Sequence, residues 1–298
     1  MIAKKNYPMV YVLIVLSMLI WGISYISLKL VYDYFTPVTT VVLRIMIASI
    51  FMLLLSLILK RLQKIHLKDF KIFLLFALID PCLYFMFESY GLKLSSPTTA
   101  AVIIAMIPLI TPFAAAFFIK EKITILNTIG IIISFTGVLF VIITNDFSLA
   151  VEPLGLAFLF GAVFCAVFYN FFLKNLAAKY NVFTIITVQN LISSVYLIPL
   201  LLIYGLEEIR AVNFDSKLII NFLGLSIFAS AVAFIFYAKA IKEIGITKAN
   251  VFTNTIPVFT AFFSYMIIKE DMSLQKVIGI LLVITGVILS QRKKFNSQ

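Results

Sequence analysis

The chain has 298 residues, 63% apolar and 12% charged, with 24 Lys and Arg against 13 Asp and Glu and a net charge of +11. An ordinary soluble domain carries about 25% charged residues, so a soluble fold of this composition would lack the polar surface to cover its core, and so apolar a chain does not stay disordered. The bilayer is the remaining solvent, and no basic soluble region is long enough to offer a nucleic-acid face.

A helix crossing about 30 Å of hydrocarbon needs about 20 apolar residues. Such runs fall at approximately 10–28, 37–59, 71–91, 97–119, 125–143, 153–173, 182–204, 218–238, 249–268 and 274–290. The expected fold is all-α and integral to the membrane, with ten transmembrane helices. The runs are solid Leu, Ile, Val and Phe rather than alternating, which argues against a β-barrel. With the N-terminus inside, 17 Lys and Arg fall in inside segments and 6 outside, with Arg44 left within a span. That bias predicts an even span count and both termini cytoplasmic, in a plasma (inner) membrane.

In the first run, Lys4 and Lys5 precede an apolar core as they would in a signal peptide. The core continues through Trp21-Gly22 without a small-residue cleavage pattern, so a retained helix is expected. Ser17, Trp21, Ser24 and Tyr25 share one face of it. The second run holds Arg44, 16 residues from Lys60, roughly 24 Å by helical rise. His66 follows in the basic 60–71 loop and reads as a solvated surface residue.

The third run holds Asp80 and Glu88, nine and 17 residues from Lys71, roughly 14 and 26 Å into the membrane. An ionisable group within a span is a functional hypothesis by default. Depth pairs Arg44 with Glu88, as a structural ion pair or an outer gate. Asp80 is left near the midplane without a counter-charge. It could bind a proton or a substrate amine, or be a protonated acid bonded to a neighbouring helix. Asp80-Pro81 also fits a turn in a broken helix, because the residue before proline is pushed out of helical geometry. Asp80, Tyr84 and Glu88 are spaced four apart and share a face. Cys82 and Cys165 have no metal or redox spacing and read as small buried hydrophobes.

The fourth and fifth runs recur 149 residues later: Pro108 matches Pro257, Lys120-Glu121 matches Lys269-Glu270, Gly130 matches Gly279, and Thr136-Gly137-Val138 matches Thr285-Gly286-Val287. Between Thr98 and Phe140, 16 of 43 positions are identical to the second copy. The expected domains are five-helix units over 1–147 and 148–298. Five is odd, so the second copy is inverted, and inverted repeats place a transporter's substrate site near midplane between the halves. The glycines, seven apart, suit close helix packing. Pro108 and Pro257, at equal depths in their copies, break helices. They serve as hinge, substrate contact or kink. With a two-residue shift Tyr90 matches Tyr237, so Asp80 and Glu88 fall opposite Ile227 and Ile235.

The seventh run carries Gln189, Asn190, Ser193 and Ser194. On the ninth, Asn250, Thr253, Asn254, Pro257 and Thr260 form one stripe, where the first copy has Ala101, Ile104, Ala105, Pro108 and Thr111. The amides of Asn250 and Asn254 line a cavity or bond helices together. The scattered outer acids Asp146, Glu152, Glu207, Glu208 and Asp215 read as solvated loops.

Ten spans in a five-plus-five repeat, Trp21-Gly22, Arg44, the Pro108/Pro257 pair and Glu121/Glu270 together resemble the EamA-type family of the drug/metabolite transporter superfamily. The resemblance covers nearly the whole chain. It departs at Glu270-Asp271, where the first copy has Glu121-Lys122, which alters loop charge. The resemblance implies a secondary carrier, in a family whose members move amino acids, purines, nucleotide sugars, vitamins or drugs.

The resulting expectation is a carrier of a small metabolite working by alternating access. The substrate contacts would be Trp21, Tyr25, Asp80, Tyr84, Asn250 and Asn254, with proton coupling through Asp80. Its partners are the substrate and the lipid bilayer, and it acts as monomer or homodimer. One loop His, two spaced Cys and no phosphate-binding loop point to no metal, no cofactor and no enzyme activity. The alternatives are an intramembrane lipid-modifying enzyme, which needs clustered carboxylates at an interface, and a channel-like or non-transporting scaffold.

Overall fold

The computed structural model describes residues 7–111, 125–143, 149 and 151–290, which are helical apart from short connections and one isolated bridge between Ile143 and Leu149. Eight helices are long and apolar enough to cross a bilayer: α1 (Pro8–Val31), α2 (Pro37–Ile58), α3 (Leu67–Lys93), α5 (Ile125–Ile142), α6 (Pro153–Lys179), α7 (Val182–Ala211), α8 (Ser216–Ile244) and α9 (Lys248–Ile268). Two shorter apolar helices, α4 (Pro97–Thr111) and α10 (Leu274–Leu289), stand where the fourth and tenth runs were read. α4 is described as far as Thr111, and Glu121 lies outside the described residues.

Local chemistry sets the helix boundaries. Pro37, Pro97 and Pro153 open α2, α4 and α6, because a first-turn proline lacks only an N–H that would be unpaired anyway. The side chains of Asn181 and Asp215 accept from the N–H groups of Thr184 (2.9 Å) and Leu218 (2.7 Å) at the starts of α7 and α8. Gly245, at φ +84°, turns the chain between α8 and α9, a conformation glycine adopts without steric cost.

The outer surface is apolar, as lipid-facing helices must be: Ile58, Leu67, Ile125 and Ile220 are all largely exposed. Between helices, small and hydroxyl residues make the joints. Ser56 bonds Thr187 at 2.7 Å and Ser194 bonds Ser49 at 3.0 Å across α2 and α7. The most extensive helix pair among the described residues is α5 with α10, and the repeated glycines make it. A Cβ on Gly137 would lie 2.6 Å from the Gly279 carbonyl oxygen, and one on Gly279 would lie 2.7 Å from that of Gly137.

Two pairs of helices that match in the repeat depart from regular geometry together, and α7 departs as well, over Leu201–Gly205. α3 is broken by a kink within Leu78–Leu83, and α8 widens into π-helical turns over Gly224–Val232. In α4, Met106 N–H reaches back only three residues to Ile103 (3.0 Å), and in α9 Thr255 N–H does the same to Phe252 (2.9 Å). Those positions are 149 residues apart. Each precedes its proline by two, so the tightened turn sits where Pro108 and Pro257 each remove an intrahelical bond.

Candidate functional site

Asp80 interrupts α3. Its backbone is extended, at φ −145° and ψ 123°, inside an otherwise helical span, as a residue before proline should be. The break presents the Asp80 side chain to an internal cavity of about 60 Å3 walled by α1, α2, α3, α4, α6, α8 and α9. By the same measure a single water needs about 10–15 Å3, so the cavity admits a few waters or a small ligand group. Asp80 is 3% exposed, and its Oδ1 is buried without a hydrogen-bond partner.

Eight residues on, Glu88 is fully engaged. Its Oε1 accepts from the hydroxyls of Tyr25 (3.1 Å) and Tyr84 (2.9 Å). Its Oε2 lies 3.7 Å from Arg44 Nη1, with both side chains buried. That separation is an ion pair rather than a hydrogen bond. Arg44 is held further by Ser230, whose Oγ accepts from Nε, and by the Phe85 ring 3.7 Å beneath the guanidinium.

Trp21 also lines the cavity, but its polar edge is occupied: the indole N–H donates to the Ala229 carbonyl at 3.0 Å, in the irregular stretch of α8. Only the aromatic face remains to meet a ligand. Trp21, Tyr25, Asp80, Tyr84, Arg44 and Glu88 thus converge on one cavity. Asn250 and Asn254 do not line it. Asn250 stands behind Tyr237, whose hydroxyl bonds its Oδ1 and, at 3.1 Å, that of Asn170. Asn254 is buried with both amide atoms unpartnered. From α9 the wall takes Thr253 and Ile256 instead, and from α4 it takes Ile104 and Ile107, the same positions one repeat earlier.

The wall also holds Tyr169, Asn170, Phe234 and Tyr237, which sequence reasoning did not select. Asn170 left a signal, as an amide inside an apolar run. Tyr169 and Phe234 left none among 13 Tyr and 30 Phe.

A second polar cluster closes the end of the bundle away from Asp69. Glu270, after α9, bonds the start of α4: its Oε2 accepts from Thr98 Oγ1 (2.9 Å) and Thr98 N–H (3.3 Å), and its Oε1 accepts from Ser96 Oγ. Ser264 and Lys276 complete its shell. Burial disfavours the charged carboxylate, yet the bonds from Ser264 and Ser96 and the Lys276 charge outweigh it and hold its pKa below the usual value. At the other end, Asp69 receives Lys179 Nζ at 2.6 Å and the Tyr180 hydroxyl at 2.9 Å. Among the described residues no three His, Cys, Asp or Glu side chains group as metal ligands.

Long apolar helices, buried hydroxyl joints and an internal cavity with an unpartnered acid define a multi-pass helical membrane protein. The EamA-like transporter family model matches it twice, over residues 8–143 and 153–291, and the chain belongs to that family. It is 27% identical over 285 residues to an uncharacterized transporter of Archaeoglobus fulgidus, covering 95% of this chain and 99% of that one. It is 22% identical over 292 residues to the uncharacterized transporter YvbV of Bacillus subtilis, covering 97% and 94%. A solved crystal structure shares its fold at a TM-score of 0.68 and 14% identity, covering 94% of this chain and 97% of the other. The chain is a membrane transporter by family and by relatives.

Proposed function

We propose that the protein is a secondary carrier that moves a small metabolite by alternating access around the Asp80 cavity. The cavity carries this reading. It is walled by Ile104 with Thr253 and by Ile107 with Ile256, two pairs of residues 149 apart in the chain. A site shared by equivalent elements of two inverted five-helix halves can open to either side as the halves rock. Successive matches of one family model to residues 8–143 and 153–291 support two such halves. Ten crossings would follow, with α4 and α10 counted as spans.

Asp80 is the proton carrier in this reading. A lone buried carboxylate is costly in hydrocarbon, and a proton neutralises it. The Arg44–Glu88 pair braces the cavity rather than filling it. The basic 60–71 loop and both termini face the cytoplasm, by the excess of Lys and Arg at that end.

The test is flux of a panel of metabolites in proteoliposomes containing the full chain. A carrier gives saturable flux stimulated by a pH gradient. Flux without saturation contradicts the carrier in favour of a channel. No flux, or metal-dependent turnover of lipid, contradicts it in favour of a scaffold or an enzyme.

A further inference from the structure

The charged residues lining the cavity are Arg44, Asp80 and Glu88, and its other titratable side chains are Tyr25 of α1, Tyr84 of α3, Tyr169 of α6 and Tyr237 of α8. Nothing titratable reaches the wall from α4 or α9. The single cation, Arg44, is already enclosed by Glu88, Ser230 and Phe85. When the Asp80 proton leaves, one negative charge is therefore left over, for a substrate cation to neutralise in the proton's place.

Backbone chemistry adds to the same sign. Ile104 and Thr253 each have a proline four residues on, so neither carbonyl can receive the usual intrahelical N–H. Both residues line the cavity. The Thr253 hydroxyl is turned away, donating to the Asn250 carbonyl at 2.7 Å. The acceptors that those prolines leave without their usual helical donor are the carbonyls of Ile104 and Thr253. Around the acceptors stand the rings of Trp21, Phe85 and Phe234. Trp21 packs edge-on against Phe234, with centroids 5.2 Å apart. Aromatic faces attract organic cations and shelter apolar groups. Two donors on the wall, Arg44 Nη1 and the Tyr169 hydroxyl, are also buried without hydrogen-bond partners, so the sign of the ligand follows from the surplus carboxylate and not from a lack of donors.

From this we infer that the transported molecule carries a protonated amine: the ammonium binds Asp80 and the freed carbonyls of Ile104 and Thr253, and its apolar body lies against Trp21, Phe85 and Phe234. The inference rests on the carrier reading above and names the substrate class of that same site.

The molecule contains its own reporter, because Trp21 is the only tryptophan. The experiment titrates the full-length protein in lipid nanodiscs with propylammonium, 1-propanol and propionate, which are small enough for the cavity and differ in charge, and reads Trp21 fluorescence. The ammonium should give a saturable change at concentrations at least tenfold below any response to the other two. Asp80→Asn should weaken it tenfold or more, while Asp80→Glu retains most of the affinity. If Asp80→Asn does not fold, as judged by thermal unfolding, the wild-type charge series and Asp80→Glu decide. The inference is overturned if the ammonium gives no saturable change, if the neutral or anionic probe binds as well, or if a folded Asp80→Asn keeps its affinity. Flux in proteoliposomes separates the two readings. Ammonium binding without flux leaves this site standing and removes the carrier. Saturable flux of an anion with no ammonium binding does the reverse.

Discussion

Helices α3 and α8 match in the internal repeat, and both leave regular helical geometry at matching depth. Their chemistry is opposite. α3 carries Asp80 and Glu88, where α8 has Ile227 and Ile235. α8 contributes neutral acceptors: the Ala229 carbonyl takes the Trp21 indole, the Ala233 carbonyl takes the Ser17 hydroxyl (3.1 Å), and Ser230 takes Arg44. The pair teaches that the repeat supplies the shape of the cavity while one half supplies its charge.

The comparison breaks first at Arg44. Arg44→Ala would leave Glu88 buried with two tyrosine hydroxyls and no positive charge. Removing one partner of a buried pair costs about 3–5 kcal/mol, read as a large drop in thermal unfolding temperature in detergent. Replacing both partners, Arg44→Met with Glu88→Leu, should recover most of that loss. A small effect of the single change would mean that the pair does not brace the cavity.

Smaller effects are expected at the α5–α10 seam, where both halves contribute alike. Gly286→Ala would bring a Cβ within 2.5 Å of the Gly130 carbonyl oxygen, and overpacking of that kind costs about 1–3 kcal/mol. Gly224→Ala, in α8, meets nothing within 4 Å, and should stabilise by up to about 1 kcal/mol through helix propensity. Equal melting shifts for the two variants would contradict the close approach of α5 and α10.

Least is expected at Glu270. Its bond to Thr98 N–H caps α4, and losing such a cap costs about 1 kcal/mol. Because its pKa is held down in the folded state, its contribution is complete above the unfolded carboxylate value of about 4.3. It disappears as pH falls through the lower folded value. The gap in stability between wild type and Glu270→Ala should therefore close on acidification, which unfolding at neutral and acidic pH can measure.

Much of this was legible in the residues. Run length located the helices, and helical rise alone matched Arg44 to Glu88 in depth, because a rigid helix converts residue count to distance. Asp80-Pro81 announced the break in α3. Rotation of each helix about its axis was not legible. Asn250 and Asn254 therefore looked like cavity residues, while Thr253 and Ile256, on the same helix, form the wall. Ser230 and Tyr237 were hidden for the same reason, since their roles depend on which way α8 faces.

The most direct measurement concerns Asp80. Proteoliposomes loaded with a pH-sensitive dye would report proton movement when substrate is added, alongside uptake or efflux with and without a pH gradient. Wild type should move protons with substrate and respond to the gradient. Asp80→Asn, which removes an unpartnered buried charge, should remain as stable as wild type and lose both responses. Unchanged proton movement and gradient dependence in that variant would contradict the account.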